Sequence, residues 1–208
     1  ISIRSRFLSQ PQRVKVLASI AENYPGSELL EADTIGPTVG AQLRTASLWI
    51  IGLSSVVILI YLTFRFEFVF GIAAIVATLH DALITLGISA VLRIEVDTAF
   101  VAAILTIIGF SVNDTIVLFD RVREQLAANY QGSLKDLLNL SIRQTLGRTI
   151  NTVMTVLFMV LALYVFGGST IHNFALVMLL GISIGAYSSI FIAVPLVYIL
   201  RRRLVTEA

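Results

Sequence analysis

The sequence contains no cysteine, only four prolines, and few charged residues, which make up 13% of its 208 positions. Without cysteine it has neither a disulfide framework nor a cysteine-ligated metal site. Hydrophobic residues account for 57% of the chain, far more than a soluble domain tolerates. We therefore expect the lipid bilayer to surround most of the chain, and we attribute the net charge of +2 to membrane topology and not to nucleic-acid binding.

Motifs of soluble enzymes are missing as well. The sequence has no Walker A loop, no Gly-x-Ser-x-Gly nucleophile elbow and no cluster of metal-ligating residues. We therefore expect no enzymatic activity, no cofactor and no bound metal. Energy for any movement would come from another source, and a proton that crosses the membrane gains about 2.3 kcal/mol per 100 mV.

Long apolar runs dominate the sequence from residue 46 onwards. A helix needs about 20 predominantly apolar residues to cross a bilayer. Five stretches meet this requirement, at 46–64, 68–92, 98–119, 147–166 and 174–200. The sequence therefore predicts an all-α membrane bundle over residues 46–208.

Arginine and lysine residues set the predicted orientation of this bundle. One side carries Arg65, the basic residues between Arg121 and Arg148, and the C-terminal arginines, whereas the short loops opposite carry only Arg93. Cytoplasmic loops are the ones enriched in these residues. The C-terminus is therefore predicted to be cytoplasmic, and residues 1–45 are predicted to lie on the exported side.

Residues 1–45 are predicted to form part of a small soluble domain. Segments 1–7 and 28–35 alternate like strands, and apolar residues between them have helical spacing. This pattern predicts a β-α-β unit of an α+β domain. Because the chain begins with Ile1 and its first stretch is too polar and too short for a signal peptide, we expect it to be part of a longer protein.

A helix is also predicted at about 133–146, between the third and fourth spans. Ser133 is followed three residues later by Asp136, which resembles a capping box with Asp in place of Glu. Apolar residues then recur on one face. We expect either a cytoplasmic amphipathic helix at the membrane surface or a connecting helix packed on the bundle.

Polar side chains within the predicted spans are the candidate functional residues, because ionisable groups there are costly and are usually paired or functional. Asn113, Asp114 and Thr115 are consecutive in the third span. An aspartate between an amide and a hydroxyl can exchange between a neutral form and an ionised form stabilised by hydrogen bonds, as a proton carrier must. The alternative is a static hydrogen-bond network that holds helices together.

Two further sites accompany this aspartate. Arg148, followed by Asn151, opens the fourth span and is the candidate counter-charge of Asp114, or else an arginine that extends its charge to the membrane interface. His80 and Asp81 lie near the middle of the second span. They either relay protons or form a satisfied buried pair that fixes packing.

Charged residues also cluster where the third span reaches the cytoplasm, at Asp120, Arg121, Arg123 and Glu124. Here a solvated interfacial ion network is favoured over chemistry. In the last span, Gly181 and Gly185 form a small-xxx-small face, which predicts close helix packing but no particular function.

The run from Gly109 to Glu124, GFSVNDTIVLFDRVRE, resembles the signature of the SecF family. Similar strings extend the resemblance over nearly the whole chain, at 35–40, 79–82, 140–149 and 181–185. The resemblance is to a separate SecF protein or to the SecF half of a fused SecDF.

This resemblance implies a fold. SecF proteins have six membrane spans, of which five would be present here, in a bundle similar to the resistance-nodulation-division (RND) transporters. They also carry a ferredoxin-like exported domain between the first and second spans. Residues 1–45 would be the last part of that α+β domain.

The resemblance also implies a function and a set of partners. SecF proteins act with SecD in the bacterial inner membrane, where they use the proton-motive force to assist preprotein export. The expected partners are SecD, SecYEG, the translocating preprotein and the lipid bilayer, with YajC and YidC as further components. The resemblance makes Asp114 the proton-responsive carboxylate and Arg148 its partner. A supporting polar network would comprise Asn113, Thr115, His80, Asp81 and Asn151.

Two other functions compete with this one. The first is a half-transporter of the RND superfamily that exports small hydrophobic molecules or lipids. It would be expected to have a larger exported domain and a pocket of substrate size. The second is a membrane scaffold that recruits other export components without handling protons.

Overall fold

This computed structural model describes a short segment near the start of the chain and nearly all of it beyond residue 66. The described residues are 8–26, 67–128 and 130–206, with 42, 45, 46, 49, 50, 52–54, 56–58, 60, 61 and 64 between them. The chain divides into two compact units, Ile1–Leu48 and Trp49–Ala208, each of which is described by itself.

The first unit contains helix α1 (Gln10–Asn23). Its first turn is fixed by Gln12, whose side-chain oxygen accepts a hydrogen bond from the backbone N–H of Ser9 at 2.9 Å. A proline in the first turn suits a helix start, because the N–H groups there have no partner within the helix. None of the side chains of α1 is buried.

The prediction of a partial α+β ferredoxin-like domain in residues 1–45 requires correction. The described residues of this segment form a helix and a turn, with no strand among them. The segments expected to be strands, 1–7 and 28–35, lie outside the described residues, as does the family-like string at 35–40. Alternation over seven or eight residues is a weak signal that does not establish a sheet. The part of the chain that the structure describes is thus helical.

The second unit is a helical bundle. Its elements are α2 (Phe68–Val91), α3 (Thr98–Ala127), α4 (Leu134–Phe166), α5 (Ser169–Ser188), a π-helical turn (Ser189–Ala193) and α6 (Val194–Thr206). Among the described residues, four helices are long and apolar enough to cross a membrane: Phe68–Val91, Thr98–Ala127, Leu134–Phe166 and Ile171–Arg201.

Four of the five predicted spans therefore have a counterpart in the structure. The last of them is a single crossing in which α5 continues through the π-helical turn into α6. The first predicted span, 46–64, falls where only scattered residues are described, and it stays a prediction.

Helix α4 begins where the capping box was predicted. The Ser133 hydroxyl accepts a hydrogen bond from the backbone N–H of Asp136 at 3.2 Å and donates one to its carboxylate at 2.6 Å. The helix then runs without a break to Phe166, so the helix predicted at about 133–146 is the first part of the fourth span. Its buried residues Leu137 and Leu138 join the apolar core of the bundle.

The C-terminus of α2 is a Schellman motif. The N–H of Ile94 donates to the carbonyl of Ser89 at 2.9 Å, and the N–H of Arg93 donates to the carbonyl of Ala90 at 3.1 Å. Arg93 adopts a φ of 55° in this motif. This left-handed conformation costs a residue with a Cβ roughly 1 kcal/mol.

Replacing Arg93 with glycine is therefore expected to raise the free energy of unfolding by about 0.5–1 kcal/mol, because glycine adopts this conformation without a steric penalty. The measurement is denaturant-induced unfolding of the full-length protein in mixed micelles. Arg93→Ala is the control, since it removes the charge and keeps the strain. Equal gains in the two variants would show that the charge, and not the backbone, is responsible.

The core of the bundle consists of two apolar clusters. One contains Phe70, Phe119 and Val197, and the other contains Phe100 and Ile182. Each of the four crossings contributes residues to both clusters. In each crossing, buried polar residues lie between the residues that belong to one cluster and those that belong to the other. These polar residues form the candidate site.

A buried polar layer around two aspartates

The polar layer separates the two apolar clusters and includes residues from every crossing. Its buried members are Thr78, Asp81, Ser111, Asp114, Thr115, Ser141, Thr145, Thr149, Ser188 and Ser189, and Thr85 and Ser89 continue the polar face of α2 beyond the layer. Buried polar groups are costly unless they are hydrogen-bonded. The two carboxylates are the strongest acceptors in the layer. Most hydrogen bonds between side chains of different helices in the layer have one of these carboxylates as the acceptor.

Asp81 is fully buried on α2 and contacts two other helices. Its Oδ2 accepts hydrogen bonds from the hydroxyls of Ser111 on α3, at 2.5 Å, and Ser188 on α5, at 2.6 Å. Its Oδ1 lies 3.1 Å from Nδ1 of His80, whose side chain is 32% exposed. The adjacent His80 and Asp81 therefore do form a pair, and this pair is part of a larger network that the carboxylate organises.

Asp114 is 8% exposed and lies in the same layer on α3. Its Oδ1 accepts a hydrogen bond from the hydroxyl of Thr149 on α4 at 3.0 Å. Its Oδ2 accepts one from the hydroxyl of Ser189, the first residue of the π-helical turn, at 2.6 Å. Asp114 thus connects three separate elements of the bundle.

Ser188 and Ser189 bring the two aspartates into one network. They are consecutive residues at the junction between α5 and the π-helical turn, and each donates to a different carboxylate. Single π-helical turns in otherwise regular helices are often found at functional sites. Here the turn lies directly beside the most polar part of the membrane-spanning region.

Glycines on α5 allow the close approach that these contacts need, as the small-xxx-small face predicted. A Cβ added to Gly181 would lie 2.2 Å from Cδ1 of Ile107 on α3. A Cβ added to Gly185 would lie 3.3 Å from Cβ of Ser111 and 3.6 Å from Oδ2 of Asp81. The prediction that helices pack closely at these glycines is confirmed.

Arg148 does not contact Asp114 in this structure. Its side chain is exposed, and the contact from α4 to the carboxylate comes from the next residue, Thr149. Asn113 and Asn151 are also exposed, on α3 and α4 respectively. The structure therefore places Asp81 and Asp114 in the layer and leaves these three predicted residues on its outer faces.

Thr115 is fully buried, but its hydroxyl has no hydrogen-bond partner in the described part of the chain. The same holds for Thr85 and Ser89, which follow Asp81 on one face of α2 at intervals of four residues. Within the described ranges, no group of three or more His, Asp or Glu side chains is arranged to hold a metal ion.

The charged cluster at the end of α3 connects that helix to α4. Arg121 donates to the side-chain oxygen of Gln144 at 2.7 Å and pairs with Glu124 at 2.5 Å. The exposed fractions of the two charged side chains are 37% and 62%. Asp120 and Arg123 lie beside this pair and have interactions of their own. Salt screens exposed pairs of this kind, and they contribute little to stability.

Sequence reasoning did not identify Ser111, Thr149, Ser188 and Ser189, which supply the hydroxyl donors to the two carboxylates. One signal was available on α4, where buried Ser141, Thr145 and Thr149 recur every four residues. A hydroxyl stripe within an apolar span marks a polar helix face. The serines gave no such signal, because single serines are common in membrane helices, where they can bond to their own backbone.

Comparisons with known protein families, sequences and structures all identify SecF or SecDF proteins as similar to this chain. The family model described as protein export membrane protein SecD/SecF, C-terminal, matches residues 15–203. The protein translocase subunit SecF of Sebaldella termitidis is 41% identical over 204 residues, which are 97% of this chain and 66% of that protein. The SecF of Thermobaculum terrenum is 45% identical over 88% of this chain and 61% of its own length.

The crystal structure of SecDF from Thermus thermophilus is similar as well. It superposes with a TM-score of 0.85 at 37% identity, over 94% of this chain and 27% of the SecDF chain. The chain thus spans up to about two thirds of these SecF relatives and about a quarter of that SecDF. With a family match over most of its length and close agreement in fold, the chain belongs to the SecD/SecF C-terminal family of protein export membrane proteins.

Proposed function

We propose that this chain is the membrane bundle of a SecF-type subunit that works with SecD and uses the proton-motive force to assist preprotein export. Its SecF relatives are named protein translocase subunits, which supports a role in translocation. A Bacillus subtilis relative, 43% identical over 91% of this chain, is named SecDF, which supports SecD as the partner.

The observation that carries the proposal is the environment of Asp114. An ionised carboxylate surrounded by apolar side chains is costly, but here two hydroxyl donors stabilise it. The neutral acid also fits, since its single O–H can donate to one of the two hydroxyls while its other oxygen still accepts a hydrogen bond from the second. Because the donors come from different elements, a change in protonation alters contacts between α3, α4 and the π-helical turn. Proton binding would thereby bias the arrangement of the bundle.

Arg148 keeps a role in this proposal through its position next to Thr149. Successive residues on a helix point about 100° apart, because a turn contains about 3.6 residues. A rotation of α4 by that amount would replace the Thr149 hydroxyl at Asp114 with the Arg148 guanidinium. The ionised carboxylate would then have a counter-charge in a second state of the bundle.

The orientation is part of the proposal. The basic residues at the end of α3, in the first part of α4 and within α6 favour the cytoplasm for these segments. Residues 1–45 would then lie on the exported side, where they could reach a preprotein emerging from SecYEG. YajC and YidC are further candidate partners in the inner membrane. The mechanism requires no covalent chemistry and hence no enzymatic step.

The experiment is proton-gradient-driven preprotein export in membrane vesicles that carry the full-length complex. Asp114→Asn is expected to abolish the gradient-dependent part of export, since asparagine keeps the shape of the side chain but cannot exchange a proton. The control is Thr106→Val on the same helix, because this exposed hydroxyl bonds only to the carbonyl of Ala102.

Both variants must assemble normally before their export rates are compared. If Asp114→Asn retains full gradient-driven export, the proton-carrier function is wrong and the carboxylate is a packing element. A scaffold that recruits export components would then be the better description of this bundle.

A further inference from the structure

We propose that Ser188 and Ser189 act as a paired hydrogen-bond switch that joins Asp81 and Asp114 into one proton-binding unit. The inference rests on the proposed function, since it specifies how the bundle handles a proton at these carboxylates. It assigns the serines as positioning residues, which act through the aspartates.

Each serine hydroxyl has two acceptors within reach. Ser188 Oγ lies 2.6 Å from Asp81 Oδ2 and 3.3 Å from the carbonyl oxygen of Gly185. Ser189 Oγ lies 2.6 Å from Asp114 Oδ2 and 3.2 Å from the carbonyl oxygen of Ala186. A hydroxyl carries a single proton and can also accept hydrogen bonds. Each serine can therefore donate either to its aspartate or to its own helix.

These alternatives keep the hydrogen bonds balanced when a proton arrives. An ionised Asp114 accepts the hydroxyl proton of Ser189. A protonated Asp114 donates its own O–H to Ser189 Oγ, and the Ser189 proton turns to the carbonyl of Ala186. The contact between the side chains persists in both forms with its direction reversed. No buried group loses its partner, and the cost of leaving a desolvated polar group without a hydrogen bond is avoided.

Asp81 responds in the same way but keeps additional partners. When Ser188 turns to the carbonyl of Gly185, Ser111 still contacts Oδ2 and His80 still contacts Oδ1. His80 is the titratable group in contact with Asp81 among the described residues, whereas Asp114 contacts hydroxyl groups there.

The backbone couples the two serines. The carbonyl of Gly185 already accepts the backbone N–H of Ser189. When the Ser188 hydroxyl turns to this carbonyl, it therefore shares the acceptor with the backbone N–H of Ser189, whose side chain contacts Asp114. The π-helical turn begins at Ser189, so a change in these bonds acts at the irregular end of α5. A proton on one aspartate should thus change the hydrogen bonding of the other.

The test is infrared difference spectroscopy of the carboxylic acid C=O stretch in the full-length complex, recorded between high and low pH. Asp81→Asn and Asp114→Asn identify the two bands by removing them. Ser189→Ala is expected to shift the Asp114 band directly and the Asp81 band through the coupling, and Ser188→Ala is expected to do the converse. Ser183→Ala on the same helix is the control, because its exposed hydroxyl bonds only to the carbonyl of Leu179.

The cross-effects decide the outcome. If each alanine variant shifts only the band of its own aspartate, the two carboxylates are independent and the switch is wrong, whatever the export rate. If the bands show coupling but Asp114→Asn retains gradient-driven export, the switch stands and the proposed function fails. Ser→Cys variants, which keep the side-chain size and weaken the donor, provide the same comparison if an alanine variant does not assemble.

Discussion

Replacing Gly181 with valine is expected to destabilise the membrane bundle by about 3 kcal/mol. A Cβ at this position would lie 2.2 Å from Cδ1 and 2.5 Å from Cγ1 of Ile107. Ile107 is 1% exposed within an apolar cluster, so its side chain has little room to move away. The valine would force α3 and α5 apart next to the polar layer. The free energy is measured by titrating SDS into mixed micelles that contain the full-length protein.

Two comparisons separate this clash from a general effect of valine in a helix. Gly109→Val introduces the same side chain on α3 at an exposed position where an added Cβ meets nothing within 4 Å. It should cost less than about 1 kcal/mol. Ile107→Ala combined with Gly181→Val should recover part of the lost stability, since the alanine removes the clashing atoms. A loss as large in Gly109→Val, or no recovery in the double variant, would contradict the packing explanation.

The membrane spans were predictable from the sequence because hydrocarbon imposes a strong constraint. A helix must satisfy its own backbone and present about 20 apolar residues. The run 98–119 therefore indicated a span, and the structure has a helix there from Thr98 to Ala127. Helix ends depend on weaker interactions. Ser133 and Asp136 gave a capping signal that proved correct, whereas the segments 133–146 and 147–166 were predicted as two helices and are one continuous helix, α4.

The polar layer was predictable only in part. Asp81 and Asp114 stood out because a carboxylate within an apolar run is rare and needs partners. The partners depend on helix rotation and on the distance between helices, which a single sequence does not encode in a readable way. Arg148 looked like the natural partner of Asp114 by charge, but Thr149, about 100° further around the helix, makes the contact instead. The four-residue spacing of hydroxyl side chains on α4 favours Thr149, since it continues the buried hydroxyl stripe.

Residues 1–45 show the opposite case, in which the described residues do not support the predicted α+β domain. Two short alternating segments suggested strands, but alternation over so few residues carries little information without a partner strand. The helical spacing between them rests on more residues, and helix α1 is present. The membrane bundle was predicted more reliably because each of its elements is long.

Asp81→Leu is expected to lower the free energy of unfolding of the bundle by about 3 kcal/mol, although it places an apolar side chain in a membrane helix. The leucine has a similar size, but it removes the acceptor shared by Ser111 and Ser188. These buried hydroxyls would have to turn back to carbonyls of their own helices, and the connections from α2 to α3 and α5 would be lost. The matched control is Thr85→Val, one turn further along α2. Its hydroxyl has no partner in the described part of the chain, so the change should be nearly neutral.

A triple variant shows whether the loss arises from these hydrogen bonds. Adding Ser111→Ala and Ser188→Ala to Asp81→Leu removes the stranded hydroxyls, and replacing a whole polar group with apolar side chains is often close to neutral. The triple variant should therefore regain most of the lost stability while remaining inactive in gradient-driven export. If Asp81→Leu alone is more stable than the natural sequence, the carboxylate does not hold the helices together. Its burial would then be a net cost to folding, retained because proton binding at this layer requires a carboxylate.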